Sequence, residues 1–313
     1  MPYVGMRDGA ALHYLDVGRG RPCVVLHGFA MNGGMWLPFV APHLKSHRFI
    51  IPDLRGWGAS HVLPLRRCDA IEQHADDVAD LLEGLALERV HLVGLSMGAC
   101  TAMHYLQTYG TARIRAYMNV DQAPCIRNHD DWHDGLLGDR QAEFIAFWQA
   151  FIDRITPYQN MPFGHIPRTL RRELFHGLGT FVAQAFHWPA WCALSVPARH
   201  EWVMRWVMRT SNWPVYVATI AAFVNGEHDW RAGLRQCPIP ITVVTGAESR
   251  LYAPAGQAQI AAYAPNVHVV CVPRAGHVVP FDAPRRFMRE LHTFLRVVQP
   301  DVYCDPAGQR VFA

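Results

Sequence analysis

The strongest chemical signal in this chain is the run Gly94-Leu95-Ser96-Met97-Gly98, a serine with a glycine two residues to either side. An apolar run, 90–93, precedes it, and a helix-compatible run follows. A serine on a tight strand-to-helix turn has its hydroxyl lifted above the sheet, where it can act as a nucleophile. Such a turn strains the serine backbone and brings the new helix close to the old strand, so residues without a Cβ are needed at 94 and 98. It also leaves the Met97 amide at a helix N-terminus, free to meet a developing oxyanion. The chemistry implied is attack by Ser96 on a carbonyl carbon.

A serine hydroxyl needs a base. Eighteen histidines are present, so composition selects none of them. His277 is singled out by its order and context, since it lies downstream of the serine and follows the apolar run 267–272 and the loop Arg274-Ala275-Gly276. A loop leaving a strand of the same sheet can carry an imidazole to Ser96. His27-Gly28-Phe29 leaves another strand, ending at Leu26, and makes the Phe29 N–H the second candidate oxyanion donor beside that of Met97.

Positioning these groups takes a sheet whose strands end along one edge. The first part of the chain alternates short β-like runs with helical ones, the pattern of a mostly parallel sheet covered by helices. Residues 3–6 and 11–17 flank an Asp8-Gly9 turn and read as a hairpin, and 22–26, 48–51, 90–93 and 116–120 read as strands. Apolar residues recur at helical spacing over 71–85, with Gly84 near the end, and 97–109 reads as a helix closed by Gly110. After Pro124 the texture changes: Trp132, Trp148, Trp188, Trp191, Trp202, Trp206, Trp213 and Trp230 fall in one proline-punctuated stretch. The alternation resumes with strands at 239–245 and 267–272 and helices at 255–264 and 284–298. The expectation is an α/β fold: a mostly parallel sheet with helices on both faces, its core made of 1–124 and 236–313, and a helical cap inserted at 125–235.

Taken together, His27-Gly28-Phe29, Asp53-Leu54-Arg55-Gly56-Trp57-Gly58-Ala59-Ser60, Gly94-Leu95-Ser96-Met97-Gly98 and Gly276-His277 resemble the α/β-hydrolase family over most of 1–124 and 236–297. The resemblance implies a Ser-His-acid triad of Ser96 and His277 with a carboxylate, an oxyanion hole, and a cap over the pocket. It also implies that the Asp53-Leu54-Arg55-Gly56 turn is structural. The family usually places its acid in a G-x-x-D pattern after the strand at 239–245, but here that slot is Ser249, in Gly246-Ala247-Glu248-Ser249-Arg250. Two carboxylates remain open: Glu248, one residue early, and Asp121, at the end of the preceding strand, where some members carry the acid. A serine in the usual slot suggests relocation of the charge, so Asp121 is preferred and Glu248 is the alternative.

His129-Asp130-Asp131-Trp132-His133-Asp134 has the look of a ligand cluster, with spacing that could put His129 and His133 on one helical face. A serine nucleophile needs no metal, so the expectation is no metal and no cofactor, with this segment a solvated start to the cap. The tryptophans read chiefly as packing, with some lining a pocket for a bulky apolar group.

Composition narrows the setting. Half of the 313 residues are hydrophobic and 18% are charged, as expected of a globular enzyme with a packed core. The net charge of +3 comes from dispersed arginines, with Lys45 the one lysine, so no nucleic-acid stripe is indicated. The start of the sequence lacks a basic segment followed by an apolar run, and the apolar window 215–224 is too short to cross a bilayer. The eight cysteines form no C-x-x-C pair and read as reduced thiols in a cytoplasm. The leading expectation is hydrolysis of a carboxylic ester, lactone or thioester of a bulky apolar small molecule. The alternatives are non-hydrolytic chemistry on the same triad (perhydrolase or haloperoxidase, lyase, cyclase) or a ligand-binding receptor on the same fold. Oligomeric state is left open.

Overall fold

The structure, a computed structural model, describes residues 2–187 and 209–297 together with the backbone of two short strands at 302–304 and 310–312. Eight strands form one sheet: β1 (Tyr3–Gly5), β2 (Ala11–Gly18), β3 (Arg21–Leu26), β4 (His47–Pro52), β5 (Val90–Leu95), β6 (Ile114–Val120), β7 (Ile241–Gly246) and β8 (Val267–Val272). Their order across the sheet is β1-β2-β4-β3-β5-β6-β7-β8. The hairpin of β1 and β2 is antiparallel, as is the β2–β4 pair, and every later pairing is parallel. A strand in the middle of such a sheet is covered on both faces, which is why β5 and β7 are buried along their whole length and read as unbroken apolar runs.

The side-chain period of two divides each strand between two apolar layers. In β3, Val24 and Leu26 join one cluster while Cys23 and Val25 join the other, and in β5 Leu92 and Val93 divide in the same way. The first layer is closed by α1 (Ala70–Gly84) and α2 (Met97–Tyr109), whose buried residues include Leu81, Leu82, Met103 and Leu106. Asp69 starts α1 by accepting hydrogen bonds from the Ile71 and Glu72 amides, and Gly110, at φ +75°, ends α2. Between β6 and β7 come α3 (Gln141–Ile155), α4 (Arg168–Gln184) and α5 (Trp213–Asn225). The opposite layer is closed by α6 (Pro284–Leu295), which buries Phe287, Leu291, Phe294 and Leu295.

Several expectations are corrected. Residues 125–135 are not helical: Cys125 bridges Asp229, and His129 and Trp132 exchange backbone hydrogen bonds across a tight turn, so His129 and His133 share no helical face. The expected helix at 255–264 is two short ones, Pro254–Ala258 and Ile260–Tyr263. The helix expected at 284–298 ends at Leu295. Trp132, Trp148, Trp213 and Trp230 are each buried, as packing residues should be. Trp188, Trp191, Trp202 and Trp206 lie outside the described residues, as does part of the expected cap. Among the described residues, Cys23, Cys68, Cys100, Cys125, Cys237 and Cys271 are unpaired, and no helix is long and apolar enough to cross a membrane.

Candidate active site

Ser96 both ends a strand and begins a helix. Its N–H donates to Val120 O at 3.0 Å, continuing the ladder between β5 and β6, while its own carbonyl accepts from the Ala99 and Cys100 amides and so opens α2. Reversing direction within one residue forces φ 53° and ψ −119°, a conformation costly for a side chain with a Cβ. The flanking glycines make room for it: a Cβ on Gly98 would lie 2.4 Å from Leu26 O, and one on Gly94 would lie 2.5 Å from Gly98 O. Met97 is the first residue of α2, where a helix leaves its amides without an internal partner.

Register brings the other loops to the same level. Leu26 pairs with Gly94 and Leu95 with Val120, so residues 27–29, Ser96 and Asp121 leave three adjacent strands side by side. A Cβ placed on Gly28 would lie 3.5 Å from the Ser96 Cβ. Phe29 follows, its ring against Trp57 at 4.9 Å. The loop is held by His27, whose Nδ1–H donates to Gly28 O at 2.9 Å while Nε2 accepts from the Leu54 amide at 3.0 Å. Burial pulls the His27 pKa down to about 4, in keeping with a neutral ring that donates from one nitrogen and accepts at the other. Asp53 accepts from the Gly33 and Ala59 amides and from His13, the structural part that the sequence assigned to its turn.

Asp121 is fully buried and saturated with hydrogen bonds. Its Oδ1 accepts from His277 Nδ1 at 2.7 Å and from the Ser249 hydroxyl at 2.6 Å, and its Oδ2 accepts from the Gly246 amide at 2.7 Å. A carboxylate can only accept, so His277 carries its proton on Nδ1 and presents the lone pair of Nε2, which has no hydrogen-bond partner. Glu248, the alternative acid, is elsewhere: it is half-exposed and pairs with His187 at 2.9 Å. The His277 loop is pinned on both sides, because the Gly276 amide donates to Asp282 and the Val278 amide donates to Ala185 O, just beyond α4.

Sequence reasoning missed Ser249 as a donor to Asp121, although its occupation of the usual acid slot was the available signal. It also missed Asp282 and Ala185, which no local pattern marks.

The expected ligand-like segment regroups. The Cys125 Sγ, a His129 nitrogen and an Asp229 oxygen all lie within 4.8 Å of one another, and His133 is not among them. Arg231 donates to both oxygens of Asp229, the shortest contact being 2.7 Å, and also to Asp131, so the carboxylate charge is already met by a guanidinium that would repel a cation.

The sequence profile of the Alpha/beta hydrolase family matches residues 23–290. A putative non-heme chloroperoxidase of Synechocystis is 33% identical over 49% of this chain and 61% of its own. The non-heme chloroperoxidase CPO-A1 of Kitasatospora aureofaciens is 35% identical over 48% and 57%, so the chain spans about three fifths of the length of these two relatives. A pimeloyl-[acyl-carrier protein] methyl ester esterase of Nitrosomonas europaea is 25% identical over 89% of this chain and 97% of its own. The fold is that of the solved bromoperoxidase from Bacillus anthracis (TM-score 0.73, 23% identity, 95% and 99% of the two chains covered). It is also that of an esterase from Exiguobacterium antarcticum (TM-score 0.71, 20% identity, 94% and 99% covered).

Proposed function

Because the chain belongs to the alpha/beta hydrolase family, we propose that it hydrolyses a carboxylic ester, lactone or thioester of a bulky apolar small molecule through an acyl-enzyme on Ser96. The observation that carries this reading is the buried His277–Asp121 pair beside the serine turn, with Nε2 of the imidazole unengaged. In this mechanism Nε2 takes the Ser96 proton as the oxygen attacks the carbonyl carbon, and Asp121 stabilises the imidazolium that forms. The amides of Phe29 and Met97 hold the oxyanion. Collapse expels the alcohol or thiol, which takes the proton from His277, and water activated by the same imidazole then releases the acid and restores Ser96. The helices between β6 and β7 act as the cap over the pocket, within the insertion at 125–235.

A fluorophosphonate probe tests the reading directly. It should label the wild-type protein and fail to label Ser96→Ala of unchanged melting temperature. Labelling that survives the substitution, or a folded wild type that does not react, would remove the serine route. The chloroperoxidase relatives support a second reading, in which hydrogen peroxide replaces water in attacking the acyl-enzyme and a peracid leaves. Peracid formation from a carboxylic acid and peroxide, compared with ester hydrolysis at the same Ser96, separates the two.

A further inference from the structure

The loop that carries His277 is clamped between two parts of the chain. On one side is the turn after β7: the Glu248 amide donates to Ala275 O at 2.9 Å, and a Cβ on Gly246 would lie 2.0 Å from Gly276 O. That side belongs to the sheet and is fixed with it. On the other side is the end of α4, one of the helices assigned above to the cap. Ala185 O, one residue past the helix, accepts from the Val278 amide at 3.1 Å.

Asp282 ties the same two segments together a second time. It ends the short helix Val279–Asp282, and its Oδ2 accepts from the Gly276 amide at 2.8 Å and from the His187 amide at 3.2 Å. One oxygen thus holds both the residue before His277 and the chain leaving α4, and hydrogen bonds to a carboxylate are the stronger kind. The approach is close enough to require a glycine, since a Cβ on Gly276 would lie 2.9 Å from His187 N. The His187–Glu248 ion pair also joins the end of α4 to the turn after β7, but its glutamate is half-exposed and it adds little. One turn before Ala185, Phe181 seats the helix by packing its ring on Phe29 at 5.7 Å and on Phe223 of α5 at 6.4 Å.

We propose that Asp282 is a positioning residue that couples the seating of α4 to the orientation of His277, so that the base is held for Ser96 only while the end of the helix is docked. If that end lifts, the Val278 amide loses its acceptor outright, and Asp282, which holds Gly276, loses its own anchor on His187. Asp121 then holds the imidazole without support from the cap side of its loop. Misplacing a reacting group by about 1 Å can cost roughly a hundred-fold in rate, so a small shift of the loop suffices to switch the base off. This rests on the serine-hydrolase reading and adds to it a conformational control of the same site.

Hydrogen exchange of the Val278 amide, followed by NMR, reads the docking without turnover, because its partner is Ala185 O rather than Asp282 or Phe181. Asp282→Ala acts on the coupling from the His277 loop and Phe181→Leu acts on it from α4. Each should speed Val278 exchange by about ten-fold or more. With 4-nitrophenyl acetate, Asp282→Ala should also lower kcat by roughly ten- to a hundred-fold and leave KM within about two-fold, the split expected when the base is misplaced and binding is not. Unchanged Val278 exchange in either folded variant overturns the coupling, and so does faster exchange with kcat intact or with a loss confined to KM. Should Asp282→Ala fail to fold, Phe181→Leu carries the same exchange test. A wild type that fluorophosphonate does not label, while Val278 exchange responds as stated, would instead sink the hydrolase reading and leave the link between α4 and the His277 loop standing.

Discussion

Two regions of this molecule hold an imidazole against a carboxylate near a nucleophile-type atom. At the ends of β6 and β8 Asp121 meets His277, and Ser96 leaves the neighbouring strand β5. In the loop after β6 the three residues are Cys125, His129 and Asp131, with Cys125 Sγ 3.2 Å from His129 Nε2 and His129 Nδ1 2.7 Å from Asp131. The two sets of residue types look alike on paper, but they differ in what faces water. Asp121 has no exposure, whereas the Asp131 side chain is 71% exposed and shares its charge with Arg231. Ser96 sits partly accessible on a strained turn, whereas Cys125 is buried and its thiol is pushed up to about 12. A thiol held that high stays protonated, and a carboxylate bathed in solvent contributes little to an imidazolium. Residue types in contact do not make a catalytic relay; the buried member must be the acid and the accessible one the nucleophile.

The comparison breaks most sharply at the nucleophiles. Ser96→Ala should lower kcat toward an activated ester by about a million-fold with little change in melting temperature, whereas Cys125→Ala should stay within roughly two-fold. A reversed order of those two losses would show that the wrong region has been assigned the chemistry.

Next come the carboxylates. Asp121→Asn should lower kcat by roughly ten-thousand-fold, because an amide at that place no longer fixes the imidazole tautomer or balances its charge. Asp131→Asn and Glu248→Gln should each change it by less than about five-fold, since neither carboxylate touches His277. A severe loss confined to Glu248→Gln would mean that the acid is the half-exposed carboxylate. Ser249→Ala lies between these extremes: it removes one donor from the Asp121 oxygen that also receives His277 Nδ1, and should cost about ten-fold in kcat. In that variant the NMR resonance of the His277 Nδ1 proton should move while Asp121 keeps its Gly246 hydrogen bond.

An effect on folding rather than turnover comes from buried imidazoles in β5, in the loop after β3 and in α1. Burial lowers the pKa of His27, His74 and His91 to about 4 each. An unfolded histidine titrates near 6.5, so between roughly 6.5 and 4 the unfolded chain binds protons that the native one refuses. Stability is therefore fully present above that window and falls as pH drops through it, by about 1 kcal/mol per pH unit for each such group. Melting temperatures measured from pH 7.5 down to 4.5 should decline; a flat series would show that these rings are protonated in the native state.

The sequence by itself determined the features that close neighbours enforce. The serine turn is one, because its glycines must admit a carbonyl oxygen and a helix backbone within a few residues of Ser96. The strands are another, since burial on two faces writes an unbroken apolar run and half-burial an alternating one. The places of Met97 and Phe29 in the chain follow from the same local rule, as each comes a few residues after a strand end. What only the tertiary structure decided is which distant groups meet. Asp121 reaches His277 across 156 positions and Ser249 across 128, and a shift of one residue in the pairing of β6 with β7 would turn that carboxylate to the other face of the sheet. The turn at Cys125 and His129 is the converse case: spacing suggested a helix, and backbone pairing of residues 125 and 229 decided otherwise.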